Sequence, residues 1–213
     1  MSKLTSPWKA DLARYPRRPF LKEQSIWAIA VYRFGRWNQA RRPGLSRWFF
    51  DRLYWLLFRV VETLTGISFT KEVEIGPGIR IWHFGNIFIN PNVKIGANCT
   101  LRQGVTIGNR FDGGEVPIIE DDVEFGAYAQ VLGGVRVGKG AKIGAMSVVL
   151  CDVPCGATAV GIPARIIQWD SSNADNLHMT TEASTNDSSE SGISSGEDSL
   201  ANGRDTVSGT FDQ

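Results

Sequence analysis

Histidine and cysteine are scarce in this chain, and no long uninterrupted apolar run is present. Its 213 residues include two histidines and three cysteines. The odd cysteine count and the spacing of Cys99, Cys151 and Cys155 exclude the disulfide framework of a small secreted scaffold. Cys151 and Cys155 have no histidine nearby, so no metal site is expected. Cys99 falls at a small inward position of the repeat described below and is expected to be a buried free thiol. The most apolar stretch, 45–65, is interrupted by Asp51, Arg52, Arg59 and Glu62. It falls short of the ~20 clean apolar residues that a spanning helix needs. The first residues are polar and basic, without an apolar core followed by small residues, so no export signal is expected and the chain reads as cytoplasmic.

A net excess of charge is also missing, since the formal total is +1. That balance hides a division into three segments. Residues 1–66 carry 13 Lys/Arg against 4 Asp/Glu, residues 67–169 carry 9 against 9, and residues 170–213 carry 1 against 9. The last segment is Ser-rich and nearly free of large apolar side chains, too poor in buriable surface to offset its ordering entropy. A disordered acidic tail is expected there, and His178 within it is set aside.

What the chain does have is a six-residue beat. Ile119, Phe125, Val131, Val137, Ile143 and Val149 fall six apart, as do Ile89, Ile95, Leu101 and Ile107, with Ile75 and Ile81 before them. Four residues after most of these stands a small or branched residue, such as Val93, Cys99, Val105, Ala129, Ala141 or Ser147. A period of six keeps no face of a 3.6-residue helix apolar, nor of a strand with period two. It is the signature of a parallel β-helix, in which each hexad supplies one short strand and one corner of a triangular prism. One coil cannot bury its own inner face, so stability comes from stacking coils.

Two interruptions break the beat. Between Ile81 and Ile89 the spacing is eight, so two extra residues bulge out around His83-Phe84-Gly85-Asn86. Between Ile107 and Ile119 the stretch 108–117 lacks inward aliphatics and reads as a projecting loop. At the far end, Pro154, Pro163 and Ile166-Ile167 predict closure by a turn and a short final strand. Ahead of the prism, Ser25 to Gln39 and Leu45 to Thr65 read as two aromatic, basic helices separated by the Pro43-Gly44 turn. Two roles are open for residues 1–66, and they are compatible. One is a cap over the open end of the β-helix that also packs against sister subunits. The other is an interfacial helix touching a membrane with anionic headgroups. The arginines are dispersed among aromatics, which argues against nucleic acid as a partner.

His83 stands where the wall of the prism breaks its own rule, and such breaks concentrate at functional sites. Its neighbours Gly85, Asn86 and Asn90 permit tight backbone and polar contact. The run from Ile81 to Asn90, the run from Asn98 to Gly108, and the segments 142–149 and 159–166 resemble hexapeptide-repeat acyltransferases. The closest likeness is to the serine-acetyltransferase-like enzymes, including those of exopolysaccharide and colanic-acid biosynthesis. The resemblance covers about residues 67–167.

That resemblance implies a homotrimer of left-handed β-helices using acetyl-CoA as co-substrate, with a site in each groove between neighbours. It implies that His83 is the general base, a role that suits imidazole with its ordinary pKa of ~6.5. CoA is expected along the coils bearing Gly126, Ala127, Ala145 and Gly161, with Lys142 or Arg165 at its phosphates and backbone N–H groups at the oxyanion. Asn86, Arg102 and Asp112 are the candidate acceptor contacts. Glu72, Glu74, or a neighbour's Asp112 and Glu115, are candidates to orient His83. The likeness has gaps. Serine acetyltransferases similar to this chain carry an Asp immediately before the catalytic His, and here Trp82 stands there. Their orienting Asp falls on Ser68, and a second His that helps hold the serine carboxylate falls near Val116. The first expectation is therefore an O-acetyltransferase acting on a sugar hydroxyl, often lipid-linked. The second is serine O-acetylation, and the third, of another class, is a non-catalytic scaffold.

Overall fold

The computed structural model describes residues 6–167. The expected disordered tail, with His178, lies outside them. Four helices come first: α1 (Pro7–Ala13), α2 (Pro19–Lys22), α3 (Ser25–Gln39) and α4 (Leu45–Thr65). The last two match the helices expected from the sequence. Gly66, with φ of 64°, ends α4 by donating its N–H to Glu62 O, and the chain turns directly into the prism.

The first coil holds β1 (Ile67–Ser68), β2 (Glu74–Ile75) and β3 (Arg80–Trp82). The second holds β4 (Ile87–Ile89), β5 (Lys94–Ile95) and β6 (Thr100–Arg102), and the third β7 (Thr106–Gly108), β8 (Ile118–Ile119) and β9 (Glu124–Phe125). The fourth holds β10 (Gln130–Leu132), β11 (Arg136–Val137) and β12 (Lys142–Ile143). The fifth runs from β13 (Val148–Val149) past a bridge at Val153 to β14 (Thr158–Gly161). The closing strand, β15 (Ala164–Ile167), folds back antiparallel on β14. Through β13 every third strand stacks in parallel, and β14 then stacks on β12 with β15 antiparallel at the edge, giving three faces: β1-β4-β7-β10-β13, β2-β5-β8-β11, and β3-β6-β9-β12-β14-β15. This is the parallel β-helix that the hexads predict, of the left-handed kind that the resemblance implies.

Register shows both interruptions. Gln130 pairs with Val148, eighteen residues on, which is three plain hexads. Ile67 pairs with Ile87, twenty residues on, because the coil contains the two-residue bulge. Lys94 pairs with Ile118, twenty-four residues on, so the loop 108–117 adds one hexad's length at a single corner. The coils themselves stay in step. The beat residues from Ile75 to Val149 are buried, as are the small partners from Val93 to Val153. They make one continuous core along the prism axis.

Corners demand left-handed backbone, and the residues there show it. Asn86, Gly104, Tyr128 and Met146 form one column of positive φ, and Gly78, Asn98, Asp122, Gly140 and Gly156 form another. In the first column the N–H groups from Gly104 onward reach the coil before them: Gly104 N donates to Gly85 O at 3.0 Å and Tyr128 N to Gln103 O at 2.8 Å. Gly, Asn and Asp tolerate this geometry with least strain.

A β-helix leaves its first coil with an unpaired edge. Here the helices cover it, and they form one compact unit with the coils. Ile26, Ile29 and Tyr32 on one side of α3 are buried. The Tyr32 hydroxyl accepts from Ile75 N at 3.1 Å and donates to Val73 O at 2.8 Å. Tyr15 Oη accepts from Ile81 N at 3.1 Å, and Ser25 Oγ donates to Ile81 O at 3.0 Å. Tyr54 Oη accepts from Lys71 N at 2.8 Å. Burial pushes the phenol pKa of Tyr15, Tyr32 and Tyr54 upward, so each hydroxyl stays neutral. Fully buried Asp11 accepts from Gly78 N and Ile79 N and pairs with Arg33 at 2.7 Å. Of the two open roles, capping is the one built into these contacts.

Candidate active site

The bulge leaves β3 at Trp82. His83 (φ 65°), Gly85 (φ 115°) and Asn86 (φ 53°) all take left-handed backbone within four residues. Such clustering marks a segment held in a costly conformation by its surroundings. The hold comes from both sides: Gly85 O accepts from Gly104 N, and Ile87 N donates to Gly66 O, each at 3.0 Å. Trp82, His83 and Phe84 are thereby left exposed on the corner where the third face turns into the first.

His83 lines a cavity of about 330 Å³ with Lys22, Glu23, Gln24, Ser25, Trp82 and Phe84. Against the lining residues Trp82 and Glu23 packs Arg80, nearly fully buried, whose guanidinium carbon lies 3.9 Å from the Tyr15 ring centroid and 4.2 Å from that of Trp82. Glu23 faces it, with Oε1 accepting from Nη2 at 2.7 Å and Oε2 lying 2.6 Å from Nη1. No local sequence pattern singles out Lys22, Glu23 or Gln24. They come from the end of α2 and the turn into α3, and only the capping arrangement brings them to the bulge.

A second hollow, about 440 Å³, climbs the third face from Trp82 to Ala145. It gathers several of the predicted residues: Arg102 on β6, Gly126 after β9, Lys142 on β12 and Ala145 after it. Ala127 sits beside Gly126, and its carbonyl accepts from Met146 N at 2.8 Å. Gly126 and Ala145 follow the same corner as His83, two and three coils above it, so about 10 and 14 Å away at the usual strand spacing. Their lack of side-chain bulk leaves the backbone accessible along that corner. Arg14 from just past α1 also lines this groove, donating to Gly78 O and Asn98 O at 2.6 Å and to Thr100 Oγ1 at 2.9 Å. Gly161 ends β14 and donates its N–H to Ser147 Oγ at 3.1 Å, while exposed Arg165 lies on the closing strand of the same face.

The remaining expected contacts divide. Asn86 is on the bulge beside His83. Asp112 is exposed in the loop between β7 and β8, at the corner joining the first and second faces. Within one chain the fold therefore does not bring Asp112 to His83. Glu74 is engaged by Lys94 at 3.6 Å, and Glu72 is exposed. Among the described carboxylates, Glu23 is the one that shares a cavity with His83. Ser68 donates to Glu62 Oε1 at 2.6 Å, and Val116 packs partly against the core. Among the described residues no cluster of His, Cys, Asp and Glu is suited to hold a metal ion.

A coil-stacked prism with a histidine at the foot of a small-residue groove is the architecture of a hexapeptide transferase. The bacterial transferase hexapeptide family (six repeats) matches residues 117–151, and the hexapeptide repeat of succinyl-transferase matches residues 87–110. A serine acetyltransferase of Synechococcus elongatus is 36% identical over 143 residues, covering 66% of this chain and 55% of that protein. The serine acetyltransferase of Escherichia coli K12 is 34% identical over 165 residues, 76% of this chain and 57% of its own length. A solved serine acetyltransferase in complex with cysteine superposes with a TM-score of 0.65 at 32% identity, covering 76% of this chain and 69% of that one. The chain belongs to the hexapeptide-repeat transferase family, where its relatives are serine acetyltransferases. It spans little more than half the length of the curated relatives it matches. The expected kinship with exopolysaccharide enzymes is corrected to this extent: the relatives found are serine acetyltransferases.

Proposed function

We propose that this chain is an acetyl-CoA-dependent O-acetyltransferase with His83 as its general base. One observation carries the reading: His83 stands on a strained bulge directly after Trp82, the residue at the foot of a groove whose upper corner is built of Gly126 and Ala145. In that mechanism the imidazole takes the proton of an acceptor hydroxyl as its oxygen attacks the thioester carbonyl. The C–S bond then breaks, and the imidazolium returns the proton to the departing CoA sulfur. Lys142 and Arg165 meet the phosphates of CoA, and the small residues let the pantetheine arm lie along the backbone. A solved relative in complex with CoA, 30% identical with a TM-score of 0.64, supports the choice of donor. A homotrimer completing each groove with a neighbour's surface, loop 108–117 included, belongs to the same proposal. So does work in the cytoplasm, where acetyl-CoA is available.

For the acceptor, the relatives favour L-serine over the sugar hydroxyl expected first. A specific feature keeps the sugar reading in play: Trp82 and Phe84 present exposed rings beside Gln24 and Glu23, a combination suited to a pyranose face and its hydroxyls. Release of free thiol from acetyl-CoA decides between them, with L-serine and with free and diphosphate-linked sugars offered separately. Serine-dependent release places the chain with its relatives. Release with sugars alone assigns the aromatic cavity to a glycan. Silence with both, from protein that binds CoA, contradicts the proposal for these acceptors.

A further inference from the structure

α4 is 21 residues long, yet only Tyr54, Phe58 and Thr65 are buried. On its opposite side Leu45, Phe49, Leu56, Val60 and Leu64 are exposed by 86, 59, 62, 48 and 62%. Their spacings of four, seven, four and four place them in one stripe along the helix. At 1.5 Å per residue the stripe runs about 29 Å. A patch of that size is not left bare without a partner.

Charge says which partner. Arg52 and Arg59 border the stripe. Arg52 lies 5.5 Å from the centroid of the exposed Trp48 ring, and the Arg59 side chain is 75% exposed. The two carboxylates of α4 are engaged elsewhere. Asp51 binds Lys71 at 2.6 Å, which holds its carboxyl below the usual range, and Glu62 binds Ser68 and Arg59. α3 and α4 together hold five arginines against those two acids, with Arg41 and Arg42 in the turn between them. A second copy fits this face poorly. The three-four spacing of a helix–helix seam, read from Leu45 through Phe49, Arg52, Leu56 and Arg59, puts an arginine at alternate seam positions. Paired copies would bring like charges together. Nor does the helix cross a bilayer, because none among the described residues is long and apolar enough.

We infer that α4 is an interfacial helix that seats this protein on an anionic phospholipid surface. The stripe lies at the acyl boundary, with Arg52 and Arg59 on headgroup phosphates. This is independent of the acceptor, and it holds or fails without reference to acetyl transfer.

The test is co-sedimentation of the full chain with vesicles of phosphatidylcholine alone and of phosphatidylcholine mixed with phosphatidylglycerol, at low and high salt. Binding is expected to the anionic vesicles and to weaken with salt. Joint substitution Arg52→Gln and Arg59→Gln is expected to weaken it about thirtyfold, at the usual contribution of a basic residue near such a surface. Leu56→Glu is expected to abolish it. All three positions are exposed, so the folded state should persist, and circular dichroism verifies that it does. Equal partition into neutral and anionic vesicles, or no response to the arginine pair, overturns the inference. A fall in sedimentation mass for Leu56→Glu without any vesicle binding by the parent chain also overturns it, and hands the stripe to a second copy.

Discussion

The guanidinium of Arg80 supports the indole of Trp82 from beneath, with its carbon 4.2 Å from the ring centroid. Because Trp82 immediately precedes His83, this stack sets where the bulge departs from the wall. The charge is held in turn by Glu23, which comes from the helical cap, so the cap and the site share one ion pair.

Removing that cation should therefore damage stability first. Arg80→Met strands a largely buried carboxylate, and breaking such a pair costs about 3 kcal/mol or more. Urea denaturation is expected to show the loss. It should be smaller in Arg80→Met combined with Glu23→Gln, which removes the orphaned charge. An unchanged midpoint for the single variant would mean that the pair contributes nothing.

Tyr32→Phe deletes one oxygen and leaves Ile75 N–H and Val73 C=O without their partner at the first coil's edge. A loss of about 1–3 kcal/mol is expected. Hydrogen exchange at the Ile75 amide should accelerate in proportion, while amides of the fourth coil stay protected. Uniform acceleration along the prism would show that the cap governs global rather than edge stability.

Close stacking of coils leaves no room at Gly126, where an added Cβ would lie 2.7 Å from Ala145 Cα and closer still to Ala145 N. Gly126→Ala is expected to cost about 1–3 kcal/mol by overpacking. It should also weaken CoA binding measured by calorimetry, since the same backbone forms the groove. Full stability with full affinity would remove Gly126 from both roles.

Cys99 is buried at the small position of its hexad, and burial pushes its thiol up to about 11. Cys151 and Cys155 are exposed. At pH 8 a thiol reagent should label two cysteines quickly and the third only on unfolding. Because the folded pKa lies above the ordinary ~8.5, the stability held by the neutral thiol is complete below that value. It is lost as pH rises from ~8.5 towards 11. Cys99→Ala should flatten that part of the stability–pH curve, and an unchanged alkaline limb would assign the loss to other groups.

The prism was legible because a hexad marks each inward residue directly: Ile81, Ile89 and Leu101 carry the period in their own identities. The eight-residue step from Ile81 to Ile89 likewise exposed the bulge and His83 with it. Counting strands even assigns corners, and by that count Asp112 sits at a different corner from His83. What the sequence concealed depends on contacts between distant residues. Tyr15, Ser25 and Tyr32 look like ordinary residues of an aromatic, basic segment until a coil edge 41 to 66 positions away needs partners. Glu23 reaches the cavity only because the cap docks, and no local pattern announces that. The acceptor expectation rests on missing charges at Ser68, Trp82 and Val116, a negative signal, whereas relatedness is a positive one, and the relatives found are serine acetyltransferases.

The most direct measurement is turnover by His83→Ala and His83→Gln, followed as thiol release from acetyl-CoA with L-serine and with the most active sugar, alongside CoA affinity. If His83 is the base, kcat falls ~10²–10⁴-fold while CoA binds as before. If turnover survives both substitutions, His83 is only a turn residue of the bulge, and the chemistry belongs elsewhere.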